Sequence, residues 1–382
     1  MNEISAPGAA ATFVVEAKDS SSGARAGILH TPRGPVETPV FMPVATQASV
    51  KALDSDDLRR LGSRAMLANS YHLYLRPGVD VVRAAGGLHK FMDYDAFFIT
   101  DSGGFQVLSL SDLREIDDEG VTFRSHLDGS KHRLTPESVI RTQAGLGSDG
   151  WTTLDECPPY PCSEAVAAQA LERTMRWLDR SVPAVAAERA AGAKCLFFPL
   201  FQGGLHPGLR KRSAEHHNAT PADGISIGGF MVGEDKPTTW NMLAETTALL
   251  REDRPRYLMG VGTPRDLWDA IACGVDMMDC VYPTRVARSG HVMAHAGRFN
   301  VTNGRFRRDF TPLDPKCSCF VCARYTKAYL GHLLRSEELA AYRLLSYHNL
   351  HYMASVIADI RRAIKEGRFK SAREEFMSRY GA

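Results

Sequence analysis

The 382-residue sequence predicts an α/β protein, a (β/α)8 TIM barrel that carries an N-terminal β-hairpin and a small metal-binding unit. Eight short apolar segments alternate with amphipathic stretches over about 250 residues, which is the pattern of such a barrel. Most of these segments end in polar residues, which a barrel would bring together in one pocket. A cysteine cluster near the carboxyl end indicates the metal-binding unit.

Residues 1–38 are expected to form the β-hairpin. Two β-prone runs, FVVEAK and AGILH, are separated by a serine cluster and followed by prolines at 32 and 35. The first twenty residues contain acidic side chains, and no apolar run reaches about 18 residues, so neither secretion nor membrane insertion is expected. The expected compartment is the cytoplasm. The net charge of +2 argues against indiscriminate coating of nucleic acid but permits a local basic face.

The catalytic barrel is predicted to span residues 39–290. Its strand candidates are PVFMPV (39–44), RAMLAN (64–69), AFFITD (96–101), GWTTLDE (150–156), KCLFFPLFQ (194–202), GISIGG (224–229), RYLMGVG (256–262) and VDMMDC (275–280). The stretches between them often begin with Ser or Thr and end at Gly, as helices do. Residues 114–134 predict an inserted hairpin, which either leans over the site or only elaborates the surface. A doubly wound sheet is disfavoured because no glycine-rich nucleotide motif follows a strand.

The stretch DMMDCVYPTRVARSG, from Asp276 to Gly290, is the strongest candidate for chemistry. Its apolar residues stop at Asp279, so this carboxylate is expected at the end of a strand. Arg285 and Arg288 follow, and guanidinium groups suit phosphate contacts close to the carboxylate. Taken alone, the stretch leaves open a capping aspartate beside a solvated basic loop.

A zinc-binding subdomain is predicted at residues 291–350, followed at 351–382 by C-terminal helices that pack on the barrel. Cys317, Cys319, Cys322 and His348 supply the three thiolates and one imidazole of a closed, structural zinc site, with one ion per subunit. The sequence leaves His332 and His351 as rival fourth ligands. Free or buried cysteines without a metal are the other alternative.

Taken together, these motifs resemble those of bacterial tRNA-guanine transglycosylases, also called queuine tRNA-ribosyltransferases. The resemblance runs from about Thr12 to Tyr380. Its motifs are DSGGFQV at 101–107, DEC at 155–157, QGG at 202–204, IGG with VGE at 227–234, YLMGVG at 257–262, DCVYPTRVAR at 279–288, PLDPKCSCFVC and YHN at 347–349. The resemblance implies a pentosyltransferase of queuosine biosynthesis with a (β/α)8 barrel, a zinc unit and a homodimeric assembly.

The implied reaction exchanges the wobble guanine, at tRNA position 34, of G-U-N anticodon tRNAs (those for aspartate, asparagine, histidine and tyrosine) for 7-aminomethyl-7-deazaguanine. By resemblance, Asp279 is the nucleophile that forms a covalent ribosyl-RNA intermediate, and Asp101 is the general acid/base. RNA contacts are expected from Arg285 and Arg288. The residues implied to bind the base are Phe105, Asp155, Cys157, Gln202, Gly228, Gly229, Val232 and Met259.

Five positions depart from the family pattern. Phe230 and Met231 stand where Leu and Ala are commoner, and Ala45 and Ala68 replace glycines. Thr263 stands where a lysine often contacts RNA. These departures leave the shape of the base pocket and one phosphate contact open.

Alternative functions also remain at this stage. Cys157 and Val232 favour the pocket for 7-aminomethyl-7-deazaguanine over the roomier pocket for queuine, which is the alternative incoming base. A non-catalytic partner subunit could lose Asp101, Asp155 and Asp279 without losing the fold. An archaeal-type enzyme that modifies the D-arm would carry an extra carboxyl-terminal domain, and a barrel glycosidase would lack the arginines and the cysteine cluster.

Overall fold

Two parallel five-stranded sheets form the centre of the computed structural model, which describes residues 12–110 and 114–380. Residues 1–11 of the predicted hairpin region and 381–382 of the predicted C-terminal helices lie outside these ranges. One sheet has the order Val44–Ala45, Ala65–Ala68, Phe97–Thr100, Gly150–Thr152, Leu196–Phe198. The other has the order Val40–Met42, Met277–Asp279, Arg256–Leu258, Ile225–Ile227, Leu200–Phe201. Strands therefore lie within all eight predicted segments.

The chain passes from one sheet to the other at two prolines. Pro43 separates Val40–Met42 from Val44–Ala45, and Pro199 separates the strands of the 194–202 segment. Proline has no N–H to donate to a strand ladder, so a change of pairing partner at these positions is accommodated easily.

Helices connect the parallel strands. They span Ser55–Leu61, Ser70–Leu75, Val79–Ala84, Leu88–Met92, Gly104–Leu110, Pro136–Leu146, Glu164–Ala190, Pro207–Ala219, Lys236–Leu249, Pro264–Ala272 and Tyr282–Arg288. Two of them begin after a predicted Ser or Thr: the Ser163 side chain accepts the backbone N–H of Val166, and the Thr263 side chain accepts that of Asp266. Helix Glu164–Ala190 continues past Pro183.

Both faces of the parallel strands are buried. On one face, Met66 and Phe98 belong to a large core shared with helical residues such as Leu243 and Leu267. On the other face, alternate residues such as Leu67 and Ile99 form a separate cluster. This alternation explains why the strand segments are continuously apolar in the sequence.

Two antiparallel sheets are larger than predicted. The N-terminal region forms three strands, Phe13–Lys18, Arg25–Thr31 and Gly34–Thr38, and not a two-stranded hairpin. The sequence suggested that Pro35 ends the sheet, but it lies in an edge strand, where a missing N–H is tolerated. The predicted inserted hairpin likewise has three strands, Arg114–Asp117, Gly120–Arg124 and Lys131–Leu134.

The carboxyl-terminal part begins with a hairpin, His291–Ala294 and Gly297–Asn300, and the 3₁₀ turn Gly304–Phe306. Its helices span Phe320–Arg324, Lys327–Arg335, Leu339–Lys365 and Phe369–Arg379. Helix Leu339–Lys365 runs through residue 350, so the predicted zinc-binding subdomain and the predicted C-terminal helices share one helix. Within the described ranges, none of the helices combines the length and apolar character needed to cross a membrane.

A buried ion pair joins the N-terminal sheet to the strand that ends in Asp279. Arg25 donates two hydrogen bonds to the Asp276 carboxylate, from Nη2 at 2.7 Å and Nε at 2.9 Å. Asp276 also accepts the backbone N–H of Arg256 at 2.7 Å. Arg25 is 2% exposed and Asp276 is fully buried, so each charge depends on the other.

We expect Asp276→Asn to lower the free energy of unfolding by about 3 to 5 kcal/mol, because Arg25 would stay buried without a counter-charge. The urea midpoint of tryptophan fluorescence measures this loss. Lys18→Gln is the matched control, since it breaks an exposed pair with Glu252 and should cost less than about 1 kcal/mol. Equal losses in the two variants would contradict the assigned role of the buried pair.

Candidate active site and metal cluster

A cavity of about 440 Å³ opens at the carboxyl ends of the parallel strands. Eleven of the twelve residues predicted to act on the base or the RNA line it, and the exception is Arg288. These eleven residues are Asp101, Phe105, Asp155, Cys157, Gln202, Gly228, Gly229, Val232, Met259, Asp279 and Arg285. Positions scattered over almost two hundred residues of sequence therefore share one pocket.

Asp101 directly follows the strand Phe97–Thr100 and is 6% exposed. Its Oδ1 accepts the backbone N–H of Ser70 at 2.8 Å, and its Oδ2 accepts a hydrogen bond from Asn69 Nδ2. Burial raises the pKa of Asp101 from 3.8 to about 6, against the opposing effect of these donors. A carboxyl group with such a pKa can both give and take a proton near neutral pH.

Asp279 is the last residue of the strand Met277–Asp279 and is also 6% exposed. Its Oδ1 accepts the Tyr257 hydroxyl at 2.6 Å and the Gly260 N–H at 3.4 Å. Burial is the main cause that raises its pKa from 3.8 to about 6, and the charge of Asp101 adds to the rise. The Tyr257 hydrogen bond acts in the opposite direction and favours the carboxylate form.

Asp155 is the third buried carboxyl group of the cavity, and it pairs with Gln202. Gln202 Nε2 donates to Asp155 Oδ2 at 2.6 Å, while Gln202 Oε1 is buried and finds no hydrogen-bond partner among the described residues. Burial raises the pKa of Asp155 from 3.8 to about 6, and the charges of Asp101 and Glu156 raise it further. The amide oxygen and the carboxyl group therefore provide hydrogen-bonding capacity for a polar ligand.

Gly228 and Gly229 form the wall beside this amide. A Cβ atom at Gly228 would lie 2.6 Å from Gln202 Nε2, and one at Gly229 would lie 2.6 Å from Gln202 Oε1. Gly229 also has a φ of 73°, a conformation that favours glycine. Any side chain at these two positions would displace the Gln202 amide from its place in the pocket.

Arg210 fixes the backbone of the glycine wall through hydrogen bonds. Its guanidinium donates to the carbonyl oxygens of Gly204 at 2.8 Å, Gly228 at 3.0 Å and Gly229 at 3.3 Å. Its Cζ lies 4.0 Å from the centre of the Phe230 ring, which gives a cation–π contact. Burial lowers the pKa of Arg210 to about 9. Phe230, one of the departures from the family pattern, thus has a partner in this chain.

The loop after Phe230 is held by Glu234. Its carboxylate accepts the backbone N–H groups of Met231 at 2.6 Å and Val232 at 3.0 Å. Met231, the second departure, adopts a φ of 61°, which is uncommon for a residue with a side chain. These contacts present the backbone and side chain of Val232 to the cavity.

Apolar and basic groups complete the mouth of the cavity. Phe105 is 57% exposed, and Met259 is partly buried, so both offer apolar surface to a planar ligand. Arg285 and Arg288 lie on the helix Tyr282–Arg288. Arg285 is exposed at the cavity, whereas Arg288 is partly buried and donates to the carbonyl of Thr284 at 3.0 Å.

The other departures have structural explanations. Thr263 caps the helix Pro264–Ala272, because its side chain accepts the backbone N–H of Asp266 at 3.2 Å. Ala45 and Ala68 are fully buried at the ends of neighbouring strands. None of these three side chains lines the cavity within the described residues.

Cys317, Cys319, Cys322 and His348 form a cluster that could bind a metal ion, with all ligand atoms within 4.8 Å of one another. The three Sγ atoms lie 3.8, 3.5 and 3.3 Å from His348 Nδ1. A tetrahedral ion bound to sulfur and nitrogen places such atoms about 3.5 Å apart. Of the two rival ligands, His351 reaches only Cys317, at 3.6 Å, and the cluster found among the described residues does not include His332.

The second nitrogen of His348 supports this role. Nε2 lies 2.8 Å from the carbonyl oxygen of Met293, and this acceptor requires that Nε2 carry the proton. The lone pair of Nδ1 then faces the three sulfur atoms, as a metal ligand must. The donor set therefore fits a four-coordinate ion with no open coordination position.

Sequence reasoning missed three residues that control the site, namely Tyr257, Ser70 and Arg210. Tyr257 lies inside an apolar strand, and Arg210 lies on the helix Pro207–Ala219, so neither stands at a strand end. Ser70 acts through its backbone N–H. No local pattern distinguishes such residues, because their roles depend on contacts between segments that are distant in the sequence.

Comparison with known proteins adds an independent finding. The family model described as queuine tRNA-ribosyltransferase matches residues 19–382. The queuine tRNA-ribosyltransferase of Moorella thermoacetica is 50% identical to this chain, over 98% of the chain and 99% of the relative. That of Desulforudis audaxviator is 51% identical, over 96% and 97%, and that of Desulforamulus reducens is 48% identical, over 96% and 98%.

We expect Asp279→Asn to be more thermostable than the wild type near pH 8 and to lose this advantage near pH 4. Because the folded pKa lies above the unfolded value of 3.8, the folded state binds more protons, and stability falls as the pH rises between about 4 and 6. The amide escapes this loss, which is at most about 3 kcal/mol, and its oxygen can still accept the Tyr257 hydrogen bond. A difference in Tm that does not change with pH would contradict this prediction.

Proposed function

The chain belongs to the queuine tRNA-ribosyltransferase family, and we propose that it exchanges the wobble guanine, at tRNA position 34, of G-U-N anticodon tRNAs for 7-aminomethyl-7-deazaguanine. It is a pentosyltransferase, a tRNA-guanine transglycosylase of queuosine biosynthesis. The observation that carries the proposal is the convergence of Asp101, Asp155 and Asp279 in one cavity with a basic mouth. This convergence favours an active enzyme over a non-catalytic partner subunit.

The reaction proceeds through two displacements at the ribose anomeric carbon. An Asp279 oxygen attacks this carbon, the bond to guanine N9 breaks, and Asp101 donates a proton to the departing base. The RNA is then held covalently on Asp279. The incoming base loses its N9 proton to Asp101 and attacks the same carbon, which releases Asp279. Two inversions leave the configuration of the ribose unchanged.

Two of the buried acids have pKa values that suit these roles. With a pKa of about 6, Asp279 is mostly ionised at neutral pH and remains a nucleophile, and the Tyr257 hydrogen bond supports the ionised form. Asp101 titrates in the same range and can deliver and recover one proton in each cycle.

Guanine is recognised by Asp155, Gln202 and the backbone of Gly228 and Gly229. The base edge offers N1–H and N2–H donors, which the Asp155 carboxyl group accepts, and an O6 acceptor. The incoming donors compete for the oxygen that now accepts Gln202 Nε2, so the amide turns to donate to O6. Phe105 and Met259 cover the two faces of the base, a type of contact worth roughly 1 to 3 kcal/mol.

The identity of the incoming base rests on the wall beside Cys157 and Val232. Both line the cavity, and burial raises the pKa of the Cys157 thiol to about 12, so that it stays neutral. A neutral thiol and a backbone held by Glu234 suit the small aminomethyl group better than the bulkier substituent of queuine. Cys157 therefore contributes to selection of the base and takes no part in nucleophilic attack.

We also propose that the parallel strands close into a barrel. The two sheets share the continuous segments around Pro43 and Pro199, which supports their closure into a (β/α)8 barrel that ends near residue 290.

A homodimer is proposed by family resemblance, because one tRNA is large relative to one barrel. A monomeric sedimentation profile at working concentration would contradict the dimer.

Zinc is the proposed metal of the cysteine cluster, because three thiolates and one imidazole are a preferred zinc ligand set. Cys317, Cys319, Cys322 and His348 would hold the ion, and its role would be to stabilise the fold around them. With four protein ligands the ion offers no position to substrate.

The exchange assay tests the function. Labelled guanine or 7-aminomethyl-7-deazaguanine should enter an unmodified G-U-N tRNA without ATP, since breaking one glycosidic bond drives the formation of the other. Failure with both bases would disprove the assignment. In the same assay, Asp279→Asn should lose the covalent RNA adduct seen on denaturing gels, because an amide is a far poorer nucleophile.

Asp279→Asn should still bind tRNA, because phosphate contacts supply most of the affinity. Asp101→Asn is the matched control, which removes a neighbouring buried acid of the same cavity. If the adduct persisted in Asp279→Asn and disappeared in Asp101→Asn, the roles of the two carboxylates would have to be exchanged.

Removal of one cluster ligand tests the zinc proposal. Cys319→Ser should lower the metal content and the folded yield together, because metal binding in such sites contributes about 10 kcal/mol or more to folding. Metal analysis and circular dichroism measure the two quantities. Cys195→Ser, a buried cysteine outside the cluster, is the control. A stable, metal-free and active Cys319→Ser enzyme would contradict a structural zinc ion.

A further inference from the structure

The positive charge of this chain is concentrated next to the nucleophile. The whole chain is almost balanced, with 46 basic and 44 acidic residues. Between Asp279 and Asp309, however, there is no acidic residue at all. The same segment contains the arginines Arg285, Arg288, Arg298, Arg305, Arg307 and Arg308.

The fold places arginines of this segment at two cavities. Arg285 lines the active-site cavity on the helix Tyr282–Arg288. Arg298, on the hairpin that follows, donates a hydrogen bond to the Tyr282 hydroxyl at the beginning of the same helix. Arg298 and Arg305 then line a second cavity of about 270 Å³. Arg298 therefore links the helix that carries Arg285 to this second cavity.

The walls of the second cavity leave its arginines available for an anion. Its one carboxylate, Asp314, is 3% exposed and already accepts the His295 ring nitrogen at 2.6 Å. The Lys327 ammonium is paired with Asp309 at 3.1 Å. Arg305 is exposed, and its Cζ lies 4.6 Å from the centre of the Phe306 ring. Among the described residues its guanidinium has no hydrogen-bond or ion-pair partner, so it can donate to a bound anion.

We propose that the second cavity binds a backbone phosphate of the tRNA strand that flanks the target nucleotide. This inference rests on the proposed function, because it extends the RNA path beyond Arg285. Guanidinium groups match the geometry of a phosphate. Phe310, which is 75% exposed and follows the Lys327 partner Asp309 in the chain, offers a face for a base or ribose. A contact at this point would hold the anticodon loop on both sides of the reacting ribose.

The test is the salt dependence of tRNA binding by Arg298→Gln and Arg305→Gln. Each variant should bind tRNA roughly tenfold or more weakly at low salt, because it loses a charge-assisted hydrogen bond. The slope of log affinity against log salt should become shallower by about 0.7 to 0.9 for each lost phosphate contact. Arg251→Gln is the matched control: it also removes one exposed arginine, but from the amino-terminal side of the strand Arg256–Leu258. It should change neither quantity.

An unchanged salt slope in Arg305→Gln would overturn the proposal. The proposal would also fail if the wild-type cavity bound inorganic phosphate while the tRNA affinity of Arg305→Gln stayed at the wild-type value. If Arg298→Gln is unstable because it loses its contact with Tyr282, the result for Arg305→Gln alone tests the proposal. The proposed function is judged separately, by base exchange in the wild-type enzyme. An unchanged salt slope in Arg305→Gln, with base exchange intact in the wild-type enzyme, would therefore refute only the second cavity.

Discussion

Three aspartates held out of water in one cavity are the constraint on which the rest of the chain depends. Burial disfavours their ionised forms, and each is compensated by a hydrogen-bond donor from an adjacent strand segment. The donor and acceptor pairs are Asn69 with Asp101, Gln202 with Asp155, and Tyr257 with Asp279. Because each pair bridges neighbouring parallel segments, the register of the sheets sets the acidity of the site.

The glycine wall of the cavity meets a different requirement, which is to bring a backbone segment close to the Gln202 amide. Gly228 and Gly229 allow the approach, but glycine by itself would leave the segment free to move. Arg210 removes that freedom through hydrogen bonds to both carbonyl oxygens. A buried arginine is costly, and here three carbonyl groups and the Phe230 ring compensate for the loss of water.

The metal cluster is coupled to the active site through two consecutive residues. His348 donates to the carbonyl of Met293, and Asn349 accepts the N–H of the same residue at 2.9 Å. Asn349 also donates to the carbonyl of Pro283 at 3.0 Å, on the helix that follows Asp279. The helix that carries Arg285 is therefore linked by hydrogen bonds to the residues of the cluster.

The sequence by itself determined the strand segments, the acids at their ends and the three cysteines of the metal cluster, because alternation, turn residues and motif spacing are local properties. It did not reveal that Pro35 lies in an edge strand or that Arg285 lies on a helix, since neighbouring elements decide both. Tyr257, Arg210 and the unpartnered Gln202 oxygen emerged only from the tertiary structure. Their roles depend on which strands are adjacent and on which groups are shielded from water, and neither property is encoded in any single segment.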